Sequence, residues 1–235
     1  MLAYHNNPQL KQQILQQLQG SGWNVFIEDY KNGLGIPKTL IYLHDAINRG
    51  LSNDLAKNWP IRFISAIQVG ADLSTVWREF VIWLLVDPVD GVIQYTHPGT
   101  EVYEVIIRVA TLYRDGYTQK QMREAAYAAY AVYSAAYSAL SAFAFNAAYY
   151  AVHDAASNIA AYSAYSAYSA AYAVSAAYGA ALADYATYAV SAAAHAHAHA
   201  SNAAVSAALA TARNAAYIKM SNKLIELLEK QEVTC

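Results

Sequence analysis

Cysteine is almost absent: Cys235 is the single one. No disulfide can form within the chain, and a reduced, cytoplasmic setting is the simple expectation. Paired cysteines, glycine-rich phosphate loops and nucleophile elbows are also missing, and with them the usual signs of metal, nucleotide or acyl-transfer chemistry. Basic charge is scarce. Fifteen Lys and Arg against 17 Asp and Glu give a net charge of -2 and a pI near 6.4, which argues against a protein whose main work is binding nucleic acid. Long apolar runs are missing too. The run FVIWLLV at 80–86 is far short of the roughly 20 residues a membrane-spanning helix needs. The opening MLAYHNNPQL has no basic region leading into an apolar run, so neither a signal peptide nor a membrane association is expected.

What remains divides into two halves of different chemistry. Residues 1–124 hold 11 of the Lys and Arg, 12 of the Asp and Glu, all four tryptophans and all five prolines. Between Ala125 and Ala212 there is no Lys or Arg, and the only acids are Asp154 and Asp184. The first half reads as short, well-punctuated helices. Asn7 caps a helix opened by Pro8, with Leu10, Ile14, Leu15 and Leu18 on one face. Pro37 opens a second helix carrying Leu40, Leu43 and Ile47. Ser52 starts a third, Pro60 a fourth over IRFISAI, and Asp72 or Ser74 caps TVWREFVIWLLV. A DPVDG turn follows. Thr100 then caps a helix closed by Gly116. GVIQY at 91–95 is too short to support a sheet.

Thr118 to Gln121 reads TQKQ, a capping box in which hydroxyl and amide satisfy each other's orphan amides. Beyond it there is no proline, and Gly179 is the only glycine. Alanine loses no side-chain entropy in a helix, so this half is expected to be helical. One helix from 119 to 230 would be about 165 Å long and would leave its tyrosines wet, so antiparallel segments are expected. The candidate breaks are 141–146, 154–158, Gly179 and 201–202, where Asn, Asp, Ser and Gly can cap or turn. The expected fold is all-α: a short-helix region over 1–117 packed on an Ala/Tyr-rich array over 118–235.

Tyrosine is abundant, with 21 in the chain. Tyr127, Tyr130, Tyr133 and Tyr137 recur 35 residues later as Tyr162, Tyr165, Tyr168 and Tyr172, spaced 3, 3, 4 both times. This is an internal repeat, most simply explained by duplication. Each set occupies an arc of about 120° at 100° per residue. Alanine lets neighbouring helices approach closely, and tyrosines beside that seam fill the remaining volume while their phenols reach a partner or water. Packing is the favoured role. The rival is a recognition face, because tyrosine offers large contact area at low entropy cost. The lack of charge sharpens this choice: the helices are either covered on most sides or present a neutral docking surface.

The remaining polar clusters point less sharply. HAHAHA places His195 and His199 on one helical face, a spacing that can chelate one metal, with His197 pointing away. Two imidazoles are half a zinc site, and no ligand lies nearby in sequence, so the expectation is a solvated or hydrogen-bonded patch. His153 and Asp154 are neighbours that a helix would point apart. Tyrosine hydroxyls are the natural donors to Asp154 and Asp184. No cofactor is expected. Flat alanine faces can also bind ice, yet the tract offers only Thr187 and Thr211, without regular spacing.

Two stretches carry a family likeness: KNWPIRFISAIQVGADLSTVWREFVIWLLVDP at 57–88, and the tract from Arg123 to Leu228. Together they resemble all-helical, alanine-rich immunity proteins of bacterial polymorphic-toxin systems. The resemblance implies an all-α fold and binding to a toxin, and it carries over no functional residues. The near-neutral tract departs from the acidic faces of immunity proteins that block basic nucleases. The expectation is a non-enzymatic protein-binding module whose partner is a toxin or a neighbouring gene product, contacted through the tyrosine ladder. The alternative is a self-associating structural protein.

Overall fold

A computed structural model describes residues 2–21, 33–150, 172–178, 180–181, 186–200 and 206–233. The fold is all-α. Among the described residues the extended backbone pairings are two isolated bridges, Leu2 with Asp72 and Ala71 with Val233. The helices are α1 (Pro8–Ser21), α2 (Lys38–Gly50), α3 (Asn53–Ala66), α4 (Val76–Val86), α5 (Glu101–Asp115), α6 (Gln119–Tyr150), α7 (Ala186–Ala200) and α8 (Ser206–Glu229), with a further helical stretch over 172–178. The chain divides into two compact units, Met1–Phe80 with Tyr217–Cys235, and Val81–Ala216. The expected boundary at 117/118 and the change of composition near residue 124 both fall inside the second.

In the first unit α3 packs against both α1 and α2. Asn7 accepts from the amides of Gln9 (3.0 Å) and Leu10 (3.3 Å), capping α1 as its sequence position demands. Ile14 and Leu18 of α1, Leu40, Leu43 and Ile47 of α2, and Trp59, Phe63 and Ile64 of α3 are all buried. Pro60 does not open a helix. It lies inside α3, where its missing N–H and its ring disfavour the helix by about 3 kcal/mol. Burial of Trp59, Pro60, Phe63 and Ile64 along one face of α3 offsets that loss.

The amino-terminal segment is held in an unusual conformation. Tyr4, His5 and Asn6 have φ of 53°, 49° and 58°, a left-handed turn that costs non-glycine residues roughly 1–2 kcal/mol each. Tertiary bonds hold it there. The Ala3 amide donates to Ala71 O (3.0 Å), the Tyr4 amide to Leu34 O (2.6 Å), and the Tyr4 hydroxyl to Ile64 O (2.9 Å). Gly35, with φ of 66°, allows the close approach: a Cβ there would sit 2.1 Å from Leu2 O. The Lys11 ammonium closes the carboxyl end of α3 by donating to Ser65 O (2.9 Å) and Ile67 O (2.7 Å).

The second unit is built around α5 and α6, which pack together. Thr100 accepts from the Tyr103 amide (3.3 Å) at the start of α5, and Gly116 ends it with φ of 88°. Upstream, Asp87 accepts from the amides of Val89 (2.9 Å) and Asp90 (2.8 Å), forming the DPVDG turn. Residues Val92–Tyr95 form a 3-10 turn against α7. The capping box is complete: the Thr118 amide donates to Gln121 Oε1 (2.8 Å) and the Gln121 amide to Thr118 Oγ1 (3.3 Å). From it α6 runs unbroken to Tyr150. The break expected at 141–146 is absent, because Ser and Asn are tolerated inside a helix and no Gly or Pro forces a turn. The expected breaks at 154–158, Gly179 and 201–202 lie outside the described residues.

Candidate functional site

The clearest surface feature grows from the first turns of α6. Met122, Ala125, Ala126 and Ala129 are buried, so the helix lies close against its neighbours along an alanine seam. Ala129 meets Val105 of α5 and Val174 of the 172–178 helix in one core cluster, and Tyr133 and Tyr178 pack against it. Relative to the centre of that seam, Tyr133, Tyr130 and Tyr127 point about 35°, 95° and 155° away at 100° per residue. Exposure follows those angles. Tyr133 is half-buried, whereas Tyr130 is 53% and Tyr127 68% exposed. Packing therefore accounts for Tyr133 and leaves Tyr127 and Tyr130 as surface groups.

These two tyrosines border a cleft. Arg123, Ala126, Tyr127, Tyr130 and Tyr178 line a space of about 270 Å³. Arg123 and Tyr127 are one turn apart on α6, so they share a face. Tyr178 supplies the opposite wall, its ring 5.5 Å from that of Tyr130 at 49°. Tyr188 of α7 meets Tyr178 edge-on at 6.1 Å and 86°, and its hydroxyl accepts from Ser175 Oγ at 2.7 Å. The result is a braced aromatic wall with polar phenol rims.

Charge enters at one end. Arg123 is exposed and makes no ion pair among the described residues. Its neighbour Glu124 is already approached by Arg108 and Lys120, each at 4.0 Å. The cleft thus combines flat aromatic faces with a guanidinium that no acid among the described residues pairs. Its volume lies just below the roughly 300–1,000 Å³ typical of small-molecule sites, so it suits one or two side chains better than a nucleotide-sized cofactor.

The other sequence candidates separate. Tyr172 is half-buried and stacks on His195, with ring centroids 5.1 Å apart at 26°. Ser191 O lies 2.7 Å from His195 Nδ1; a carbonyl can only accept, so this contact places the imidazole proton on Nδ1. Among the described residues no group of three His, Cys, Asp or Glu forms a metal-binding cluster. The side chains of Tyr137, His197 and His199, and the whole of His153, Asp154, Tyr162, Tyr165, Tyr168 and Asp184, lie outside the described residues, so of the second copy of the repeat Tyr172 alone is described. Among the described residues no helix is long and apolar enough to cross a membrane.

Arg123, Tyr178 and Tyr188 were not anticipated as members of a site. Arg123 had a readable signal, since it precedes Tyr127 by four residues and is the last basic residue before Arg213. Tyr178 and Tyr188 had none, because the meeting of Tyr178 with α6 and of Tyr188 with Tyr178 depends on how later helices return. No protein-family model, curated protein or solved structure matches this chain.

Proposed function

We propose that this chain is a non-enzymatic protein-binding module, an immunity-type inhibitor acting on a toxin or a neighbouring gene product in the cytoplasm, and that Tyr127, Tyr130 and Tyr178 form its docking surface. The observation that carries this reading is the exposure of Tyr127 and Tyr130 on a helix whose other face is locked by buried alanine. Tyrosine and arginine are enriched among residues that dominate binding energies, and a rigid backbone lowers the entropy lost on association. The family likeness and the lone terminal cysteine support the inhibitor role and the compartment.

The test is affinity capture from the native host with tagged wild-type protein and with Tyr127→Ala/Tyr130→Ala. One stoichiometric partner retained by wild type and lost by the double variant supports the proposal. Equal capture by both forms removes the tyrosines from the interface, and capture of nothing removes the binding role. A second reading rests on the same neutral aromatic patch, which is compatible with a second copy of itself. Light scattering that gives a concentration-dependent mass, abolished by the double variant, would favour that self-associating protein.

A further inference from the structure

The cleft on α6 constrains the kind of segment that can occupy it. Adding a strand to a sheet edge requires a sheet, and among the described residues there are only two isolated bridges. Seating an amphipathic helix requires a long apolar trough for anchors at i, i+3/i+4 and i+7, whereas Ala126 is the one aliphatic among the described residues that line this cleft. Phosphorylated motifs are read by clusters of arginine, and the described residues of the lining include one. Aromatic walls with phenol rims are the mode that this lining matches. They recognise polyproline II segments, whose prefolded backbone lies flat on the rings and whose free carbonyls accept from donors such as tyrosine hydroxyls.

The arginine adds a register. Along the α6 axis Arg123 lies about 6 Å from Tyr127 and about 10 Å from Tyr130 at 1.5 Å per residue. A polyproline II chain advances about 3.1 Å per residue, so those distances correspond to about two and three residues of ligand. Building on the protein-binding reading above, we infer that the cleft formed by Arg123, Tyr127, Tyr130 and Tyr178 takes an extended, proline-bearing segment of the partner with a carboxylate two to three residues from the proline. The proline ring lies against the exposed faces of Tyr127 and Tyr130, and the carboxylate pairs with the guanidinium of Arg123, which has no competing ion pair among the described residues.

Fluorescence anisotropy of labelled peptides with the full chain tests this. The probes contain Glu-Ala-Ala-Pro-Pro or its reverse order Pro-Pro-Ala-Ala-Glu, with Lys-for-Glu and Gly-for-Pro versions of each as controls. The expected result is saturable binding of at least one acidic proline peptide, weakened about tenfold or more by either replacement and by added salt. Arg123→Glu should then prefer the Lys peptide over the Glu peptide. Because that variant gains one ligand as it loses another, a folding defect cannot imitate the reversal. Equal binding of all versions, or no saturation by either acidic peptide up to about 1 mM, a weak-affinity limit near −4 kcal/mol, would overturn the inference. So would tighter, Tyr127-dependent binding of a single-stranded oligothymidylate, which would assign the rings to base stacking. The two levels separate in the capture experiment. A partner held through Tyr127 and Tyr130 yet not displaced by the peptides ends this inference and leaves the protein-binding reading standing. Absence of any partner ends that reading itself.

Discussion

Replacing Tyr127 by alanine should barely change stability, while the same change at Tyr113 should be severe. Tyr127 is 68% exposed, so about a third of its side chain is covered. A tyrosine has roughly 150–250 Å² to bury, so the area lost from cover is about 65 Å². At about 25 cal/mol per Å² this is at most about 1.6 kcal/mol, and the better helix propensity of alanine returns about 0.5 kcal/mol. The net loss is about 1 kcal/mol. Tyr113, by contrast, is 2% exposed and its hydroxyl donates to Ala180 O at 2.6 Å. Burial of about 200 Å² at the same coefficient gives about 5 kcal/mol, within the roughly 3–5 kcal/mol found for removing a buried aromatic ring. Urea denaturation followed by circular dichroism measures both through the shift in midpoint at unchanged slope. A loss clearly above about 1.6 kcal/mol for Tyr127→Ala, the largest effect its covered area permits, would put that ring in the core and refute the surface assignment.

Three further outcomes are expected. Gly50→Ala should destabilise the first unit by about 1–3 kcal/mol, the usual range for overpacking, because a Cβ there would come within 2.2 Å of the buried Tyr217 ring; a thermal melt with no loss would contradict this. His44 is fully buried, stacked on Trp59 at 5.5 Å and beside Phe63 at 4.7 Å, and burial holds its pKa well below the ordinary value. The unfolded chain therefore binds the extra proton first, so stability is intact above about pH 6.5 and falls below it by up to about 1.4 kcal/mol per pH unit. Urea titrations at pH 7.5 and 5.5 should show this, and His44→Leu should flatten the difference. Thr118→Ala removes the hydroxyl that caps the Gln121 amide; the expected loss is about 1 kcal/mol, and no change in the urea midpoint would mean that α6 does not depend on its cap.

The helices with strong end signals were legible because local chemistry decides them. Asn7, Thr100, Asp87 and the Thr118–Gln121 box form the bonds their positions imply. Pro60 misled because its local rule was outweighed by burial of its neighbours on α3. The left-handed turn at Tyr4–Asn6 carries no glycine, and the tertiary bonds that hold it come from residues 34, 64 and 71. Those contacts are invisible to any local window. The tyrosine ladder was legible as a stripe, but its exposure was not. That depended on which alanines form the seam, and the choice of Ala125, Ala126 and Ala129 places Tyr133 inward and Tyr127 outward. Tyr178 and Tyr188 reach the site only through the return of later helices. No local pattern marks that return.

The most direct measurement is the affinity of the captured partner for wild type and for Tyr127→Ala/Tyr130→Ala, taken alongside the urea midpoints of both proteins. Two exposed aromatic anchors in a docking surface should each contribute about 2 kcal/mol or more. The expected result is therefore a loss of about a thousandfold in affinity with a midpoint shift no larger than the covered area of the two rings allows. An unchanged affinity at unchanged stability would contradict the docking role of this face.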